Sequence, residues 1–231
     1  MAVGEDTPVE VEIGKGYNSG NRVPMMFGEY LNYLAWNMEI ESREYQQSQS
    51  LEEQERDLQH QRIDEDVAYL AQNELFHQVM NDIPIPRFCN DGEYGIGDGK
   101  IYHTMLWMGP RHTVSPLHFD PLDNLLMQVV GWKRVLLFPP DDQFPSLDEE
   151  GKEIVGRTPS WHYAGADGNQ YNTSAVDIEK PDHTRFPEFK ASGPVPYECV
   201  LGPGDGLYIP KRWWQHVRSL EVSISANVWW R

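Results

Sequence analysis

Thr113-Val-Ser-Pro-Leu-His-Phe-Asp-Pro-Leu-Asp-Asn-Leu-Leu-Met-Gln-Val-Val-Gly-Trp-Lys133 carries two metal-competent side chains, His118 and Asp120, on alternate positions. In a strand, residues i and i+2 point to one face, so an imidazole and a carboxylate so spaced can reach one ion. Two protein ligands make a poor site, and a second stretch supplies a candidate third. Gly202-Pro-Gly-Asp-Gly-Leu-Tyr-Ile-Pro-Lys-Arg-Trp-Trp-Gln-His216 ends on a histidine behind a tight turn and a short strand. Two His and one carboxylate with open positions form the facial triad of non-haem Fe(II) oxygenases. H-x-D alone is weak in a chain with 8 His and 36 acidic residues, so the surroundings decide.

Thr113 to Leu117 is strand-like, with a Pro that suits an edge or a bend. Pro121-Leu-Asp-Asn124 reads as a turn. Leu125 to Val130 is apolar and partly β-branched, Gly131 punctuates, and Lys133 to Phe138 resumes as a strand before Pro139-Pro140. The pattern predicts an antiparallel hairpin with a lysine opening its second strand. A lysine there either faces solvent at the turn, its commonest fate, or points into a cavity and pairs with an anion where water is excluded.

These residues together resemble the JmjC family of Fe(II)- and 2-oxoglutarate-dependent oxygenases, in particular the small hydroxylases similar to lysine demethylase 8. His118 and Asp120 match the family's H-x-D, and His216 matches its distal His. Ser115 matches the hydroxyl residue three before the first His, Asn124 the Asn six after it, and Lys133 the Lys fifteen after it. Tyr69, in Ala68-Tyr-Leu-Ala-Gln-Asn-Glu-Leu-Phe76, is the nearest match to an upstream Tyr that reaches the co-substrate. Trp107-Met-Gly-Pro110 and Ser223 to Trp230 also look like family strands. The resemblance runs from about Val9 to the end.

It implies one mainly β domain with flanking helices over residues 1–231, a double-stranded β-helix of the jelly-roll or cupin type. It also implies that an N-terminal part of a longer protein is missing before Val9. Independently, the Gly-x5-Pro approach to His216 resembles the second cupin motif. The implied chemistry is oxidative decarboxylation of 2-oxoglutarate with O2, coupled to hydroxylation of a protein C–H. His118, Asp120 and His216 would hold Fe(II), while Lys133, Tyr69 and Ser115, with Asn124 nearby, would hold the far carboxylate. Asn227 shares a face with Ser223 and Ser225 and is placed at the pocket.

Composition agrees. The 231 residues, 39% hydrophobic and 12% aromatic, suffice for one sizeable core. Cys89 and Cys199 read as reduced thiols rather than a disulfide framework. No signal-like start or membrane-length apolar run is present, so an intracellular protein is expected, and the resemblance implies nucleus or cytoplasm. The net charge of −17 disfavours nucleic acid and anionic membranes and suits a basic protein or peptide substrate.

Along the rest of the chain, Val9 to Ile13 alternates as a half-buried strand, and Met25 to about Glu41 has the apolar spacing of an amphipathic helix. Ser42 to Asp66 is rich in Gln and Glu and reads as a polar insertion, a solvated helix or a loop. Val67 to Leu70 is expected to be a strand and Asn73 to Met80 a short helix. Residues 141–196 form a long polar loop whose Ser146 to Gly168 part is an insertion. Tyr171 to Asp177 and Phe186-Pro-Glu-Phe189 are expected near the barrel mouth. His103 and His112 fall on no matching position, and His162 and His183, in the polar loop, are expected to be exposed.

The iron centre is common to hydroxylation and N-methyl demethylation, so the sequence prefers a protein hydroxylase and keeps a histone lysine demethylase as alternative. A third reading, of another class, is an inactive cupin-like metal-binding module.

Overall fold

The structure, a computed structural model, describes residues 3–14, 21–48, 67–140, 146–147, 153–154, 172–174, 176–184 and 196–231. Most of the expected insertion at 42–66 and of the long loop at 141–196 lies outside these residues, including His162 and Phe186 to Phe189.

Two antiparallel sheets face each other. The larger contains β1 (Pro8–Ile13), β2 (Arg22–Met26), β3 (Ala68–Glu74), β4 (Ile101–Gly109), β6 (Asp123–Val130), β11 (Gly206–Ile209) and β13 (Ser223–Trp230). Its strand order is β11-β6-β13-β4-β3-β1-β2. The smaller, ordered β10-β7-β12-β5, joins β5 (Val114–Phe119), β7 (Lys133–Phe138), β10 (Tyr197–Leu201) and β12 (Trp214–Ser219). A separate two-residue pair joins β8 (Ser146–Leu147) to β9 (Glu153–Ile154). This is the expected mainly β, double-stranded β-helix architecture.

Strand alternation divides each sheet into two faces. On the larger sheet, Leu70 and Met108 pack under helix α1 (Phe27–Ser48) with Val9, Val11, Phe27, Tyr30 and Leu34. Their neighbours Tyr69 and Trp107 turn the other way, into the space between the sheets. There Leu126 and Ile209 of the larger sheet meet Val135, Leu137, Leu201 and Val217 of the smaller. The outer face of the smaller sheet carries its own cluster of Leu117, Phe119, Leu136, Phe138 and Trp214, covered by Val176.

The Tyr30 hydroxyl fastens α1 to the sheet: it donates to the Met108 carbonyl and accepts the Leu70 N–H at 3.0 Å. The helix runs past the expected end at Glu41, through Ser48. Its extra turns include the good helix formers Arg43, Glu44, Gln46 and Gln47, and Arg43 pairs with Glu39 four residues back at 2.6 Å. Glu41 accepts the backbone N–H of Arg111 at 3.2 Å and of Val222 at 3.1 Å. Asn73 and Glu74 extend β3 instead of opening a helix, and only a 3-10 turn at His77–Val79 follows. A four-residue helix, α2 (Arg87–Asn90), buries Cys89 against Trp230, so the apolar end of the chain is packed.

The expected β6–β7 hairpin does not form. β6 pairs with β11 and β13, whereas β7 pairs with β10 and β12 in the opposite sheet. Gly131, at φ +71°, turns the chain from one sheet to the other; a Cβ there would sit 2.2 Å from the Val222 carbonyl oxygen.

Candidate functional site

A narrow cleft opens between the sheets, and side chains from both line it. β3 contributes Tyr69, β4 Trp107, and β5 Ser115 and His118. Asn124 and Leu126 come from β6, Lys133 from β7, Gln215 and Val217 from β12. Ser225, Asn227 and Trp229 come from β13, and Asp120 lies just beyond β5.

Lys133 is 2% exposed. Its ammonium crosses between the sheets to donate to Ser225 Oγ at 2.6 Å and lies 6.0 Å from the Tyr69 ring centre. Burial pulls its pKa down to about 7, because a cation there has lost its water. Tyr69, hydrogen-bonded to Ser115, is pushed well above the usual phenol value by burial. Ser225 binds this nitrogen directly, and Tyr69 and Ser115, from two further strands, line the same cleft, where the ammonium would gain from an anion.

The other end of the cleft is built around Asp120. Its Oδ2 accepts Gln215 Nε2 at 2.7 Å, Trp229 Nε1 at 3.0 Å and, at 3.4 Å, Asn124 Nδ2. Asn124 is held in turn by Asn227, whose Nδ2 donates to its Oδ1 at 2.5 Å. His118 places Nδ1 2.6 Å from the Pro116 carbonyl, which puts the ring proton on Nδ1 and the lone pair on Nε2. Residues 172–174 run along β5: Phe119 N–H donates to the Asn172 carbonyl at 2.9 Å and Ser174 N–H to that of Leu117 at 2.7 Å. The described part of the 171–177 segment, expected near the barrel mouth, thus pairs along the edge of β5, with Val176 on the outer face of the smaller sheet, and is not among the residues lining the cleft.

The structure brings His118, Asp120, Tyr69, Ser115, Asn124, Lys133 and Asn227 to one cleft. His216 is not among its lining residues. Directly opposed residues of an antiparallel pair share a face. Between β12 and β7 the pairs are Gln215 with Leu137, Val217 with Val135 and Ser219 with Lys133. Because Lys133 points into the cleft, Gln215 does too, and β5 sets His118 opposite Gln215. His216 is paired with Leu136 on the other face. There its Nε2 lies 3.8 Å from Glu179 Oε1, beside Arg218, which also binds Glu179. Burial, more than any other influence, lowers the His216 pKa to about 4, so at neutral pH the ring is uncharged and its contact with Glu179 is no ion pair.

The expectation that His216 completes a ligand set with His118 and Asp120 is therefore corrected by strand parity. Among the described residues no three His, Cys, Asp or Glu side chains come together as a metal-holding group. Gln215 and Trp229, which no motif singled out, each bind Asp120, and Ser225, expected only to share a face with Asn227, binds Lys133. His112, off the cleft, receives Arg218 at 2.7 Å.

A family model described as cupin-like domain matches residues 8–231. Lysine-specific demethylase 8 of Danio rerio is 42% identical over 167 residues, covering 71% of this chain and 36% of that protein. Jumonji C domain-containing protein 5 of Drosophila melanogaster is 33% identical over 236 aligned residues, covering 100% of this chain and 48% of that protein. This chain spans between a third and a half of the length of these curated relatives. The solved structure of E. coli ycfD aligns with 57% of this chain and 26% of its own at a TM-score of 0.34 and 17% identity, too slight a likeness to argue from.

Proposed function

The chain belongs to the cupin-like family that includes the JmjC-domain proteins, and from that premise we propose that it is the barrel of a 2-oxoglutarate-dependent dioxygenase hydroxylating a side chain of a basic protein. The observation that carries the reading is the buried Lys133 ammonium at one end of a cleft whose other end presents His118 and Asp120.

The fit of the co-substrate follows from the Lys133 end. Lys133 faces Ser219 across β12, and Leu137 faces Gln215. The two ends are thus four strand residues apart, roughly 13 Å at 3.3 Å per residue. A short dicarboxylate, with a polar contact at each end, suits a span of that order. Lys133 would neutralise its far carboxylate, Tyr69 and Ser115 would hydrogen-bond it, and the apolar walls of Leu126, Val217 and Trp107 would exclude water. The metal end fits less well: His118 Nε2 and Asp120 are suitable donors, but the third side chain there is the neutral Gln215 amide. The two-His, one-carboxylate set does not fit these residues. If His118 and Asp120 held Fe(II), the chemistry it would supply with O2 and 2-oxoglutarate is conversion of a C–H to an alcohol, with succinate and CO2 as co-products.

The net charge of −17 favours a basic substrate, and a site of action in nucleus or cytoplasm accords with that. Hydroxylation of an N-methyl carbon would instead release formaldehyde and leave a demethylated lysine. The reading from another class is a binding module that takes the dicarboxylate without turning it over, and the Gln215 amide at the metal position favours it.

The test is succinate formation from 2-oxoglutarate with Fe(II), ascorbate and a basic-peptide library, for wild type, His118→Ala and Lys133→Ala. Turnover in wild type that both variants lose is the expected result, and product mass separates added oxygen from a lost methyl. Binding of 2-oxoglutarate without turnover would establish the binding module, and no binding at all would overturn both readings.

A further inference from the structure

We propose that Gln215, not His216, occupies the third protein position of the metal centre, making it a site of two strong ligands, His118 and Asp120, and low metal affinity. The inference rests on the reading of the cleft as a metal and dicarboxylate site.

Three independent observations place Gln215 there. It is directly across from His118 in the β12–β5 ladder. It shares a face with Val217 and with Lys133, both of which line the cleft. Its Nε2 donates to Asp120 Oδ2 at 2.7 Å, so the amide already touches one of the two remaining ligands.

His216 cannot reach the site by a small adjustment. Bringing it inward requires β12 to slip by one residue, and a one-residue slip moves every side chain of a strand to the opposite face. Trp214 would then leave its contact with Phe119, whose ring centre lies 5.0 Å away, and would enter the cleft. Arg218 would exchange Glu179 for the apolar space between the sheets. Val217 would leave the cluster it shares with Leu126, Val135 and Ile209.

Gln215 also performs a task that a metal ligand would not. An aspartate at a buried metal site needs partners whether or not an ion is present. Here Oδ2 is supplied by the Gln215 amide and the Trp229 indole. These neutral donors hold the carboxylate in place in the metal-free protein and fix which way Oδ1 points. A neutral amide in the third position binds Fe(II) more weakly than an imidazole, which suits that ion.

The experiment titrates Mn(II), a non-oxidising stand-in for Fe(II), into the full chain, with free Mn(II) followed by electron paramagnetic resonance. Wild type, His118→Ala, His216→Ala, His216→Gln and Gln215→His are compared, each with its melting temperature. His118→Ala is expected to abolish binding, and both His216 variants to bind within about twofold of wild type. Gln215→His completes the triad and is expected to tighten binding at least tenfold, on the order of what a single supporting residue contributes to a metal site. The inference is overturned if the folded His216→Gln protein loses Mn(II) as His118→Ala does, or if Gln215→His binds no more tightly than wild type. Binding of 2-oxoglutarate to metal-free wild type and Lys133→Ala is measured alongside. Its absence in wild type would overturn the co-substrate reading, whereas Lys133-dependent binding beside His216-dependent Mn(II) would overturn this inference alone.

Discussion

Binding of 2-oxoglutarate is expected to draw a proton from solution onto Lys133. Burial holds the ammonium's pKa at about 7, against 10.5 for a free lysine. That difference corresponds to about 5 kcal/mol disfavouring the cation in the empty cleft. A carboxylate beside Nζ restores the charged form. The proton uptake equals the fraction of Lys133 that is neutral before binding: about half a proton at pH 7 and about nine-tenths at pH 8. The co-substrate's carboxylates stay ionised throughout, so they do not contribute. Above pH 8 the Kd rises close to tenfold per pH unit. Stability of the free protein changes with pH in the opposite sense to affinity: below pH 7 both folded and unfolded chains carry the proton and the cost is complete. Between about 7 and 10.5 the unfolded chain binds more protons, so stability of the free protein rises with pH, and bound ligand removes that slope. Isothermal titration calorimetry at pH 8 in phosphate and in Tris, which differ in ionisation heat, counts the protons. Tight binding with no proton uptake, or binding unaffected by Lys133→Met, would refute the argument.

Trp229→Phe keeps a ring at the cleft but removes the indole N–H that donates to Asp120 Oδ2 at 3.0 Å. Mn(II) affinity should fall on the order of tenfold, with little change in melting temperature; unchanged affinity would show that Asp120 does not depend on it. Gly131→Ala forces a side chain onto φ +71° and against the Val222 carbonyl oxygen. A loss of at least about 2 kcal/mol is expected from backbone strain alone, read as a lower urea midpoint. An unchanged midpoint would mean that the turn between the sheets tolerates a Cβ.

Local structure was legible where the residue pattern is local. Lys133 to Phe138 and Gly206 to Ile209 are strands at the expected residues, and the helix begins within two residues of Met25. The partner of each strand was not legible. Val130-Gly-Trp-Lys133 has the length of a hairpin turn, yet β6 and β7 belong to different sheets. Nothing in those four residues distinguishes a chain that folds back from one that crosses over, because the deciding contacts come from β12 and β13, far along the chain. The helix end was missed for a different reason. Ser42 to Ser48 lacks an apolar face, and its docking rests on Glu41, which reaches two backbone N–H groups brought close only by the fold.

His216 was misplaced although the sequence held the means to place it. A histidine after a Gly/Pro-rich turn and a short strand is an attractive metal ligand, and identity outweighed position. Parity points the other way. From Trp214 to Ser219 the alternate set Gln215, Val217 and Ser219 is uncharged and small enough for an interior face, whereas His216 alternates with Arg218, whose charge needs water or an acid. β7 repeats the pattern one strand away: Lys133, Val135 and Leu137 against Arg134, Leu136 and Phe138. Two adjacent strands that each put an arginine on the same outer face fix the face of every residue between them, His216 included. Lys133 escapes this test because it is the exception on the interior face, and its burial is what a functional group leaves in a strand otherwise built for packing. The same alternation that turns His216 away from the cleft therefore brings Lys133, and with it Gln215, into it.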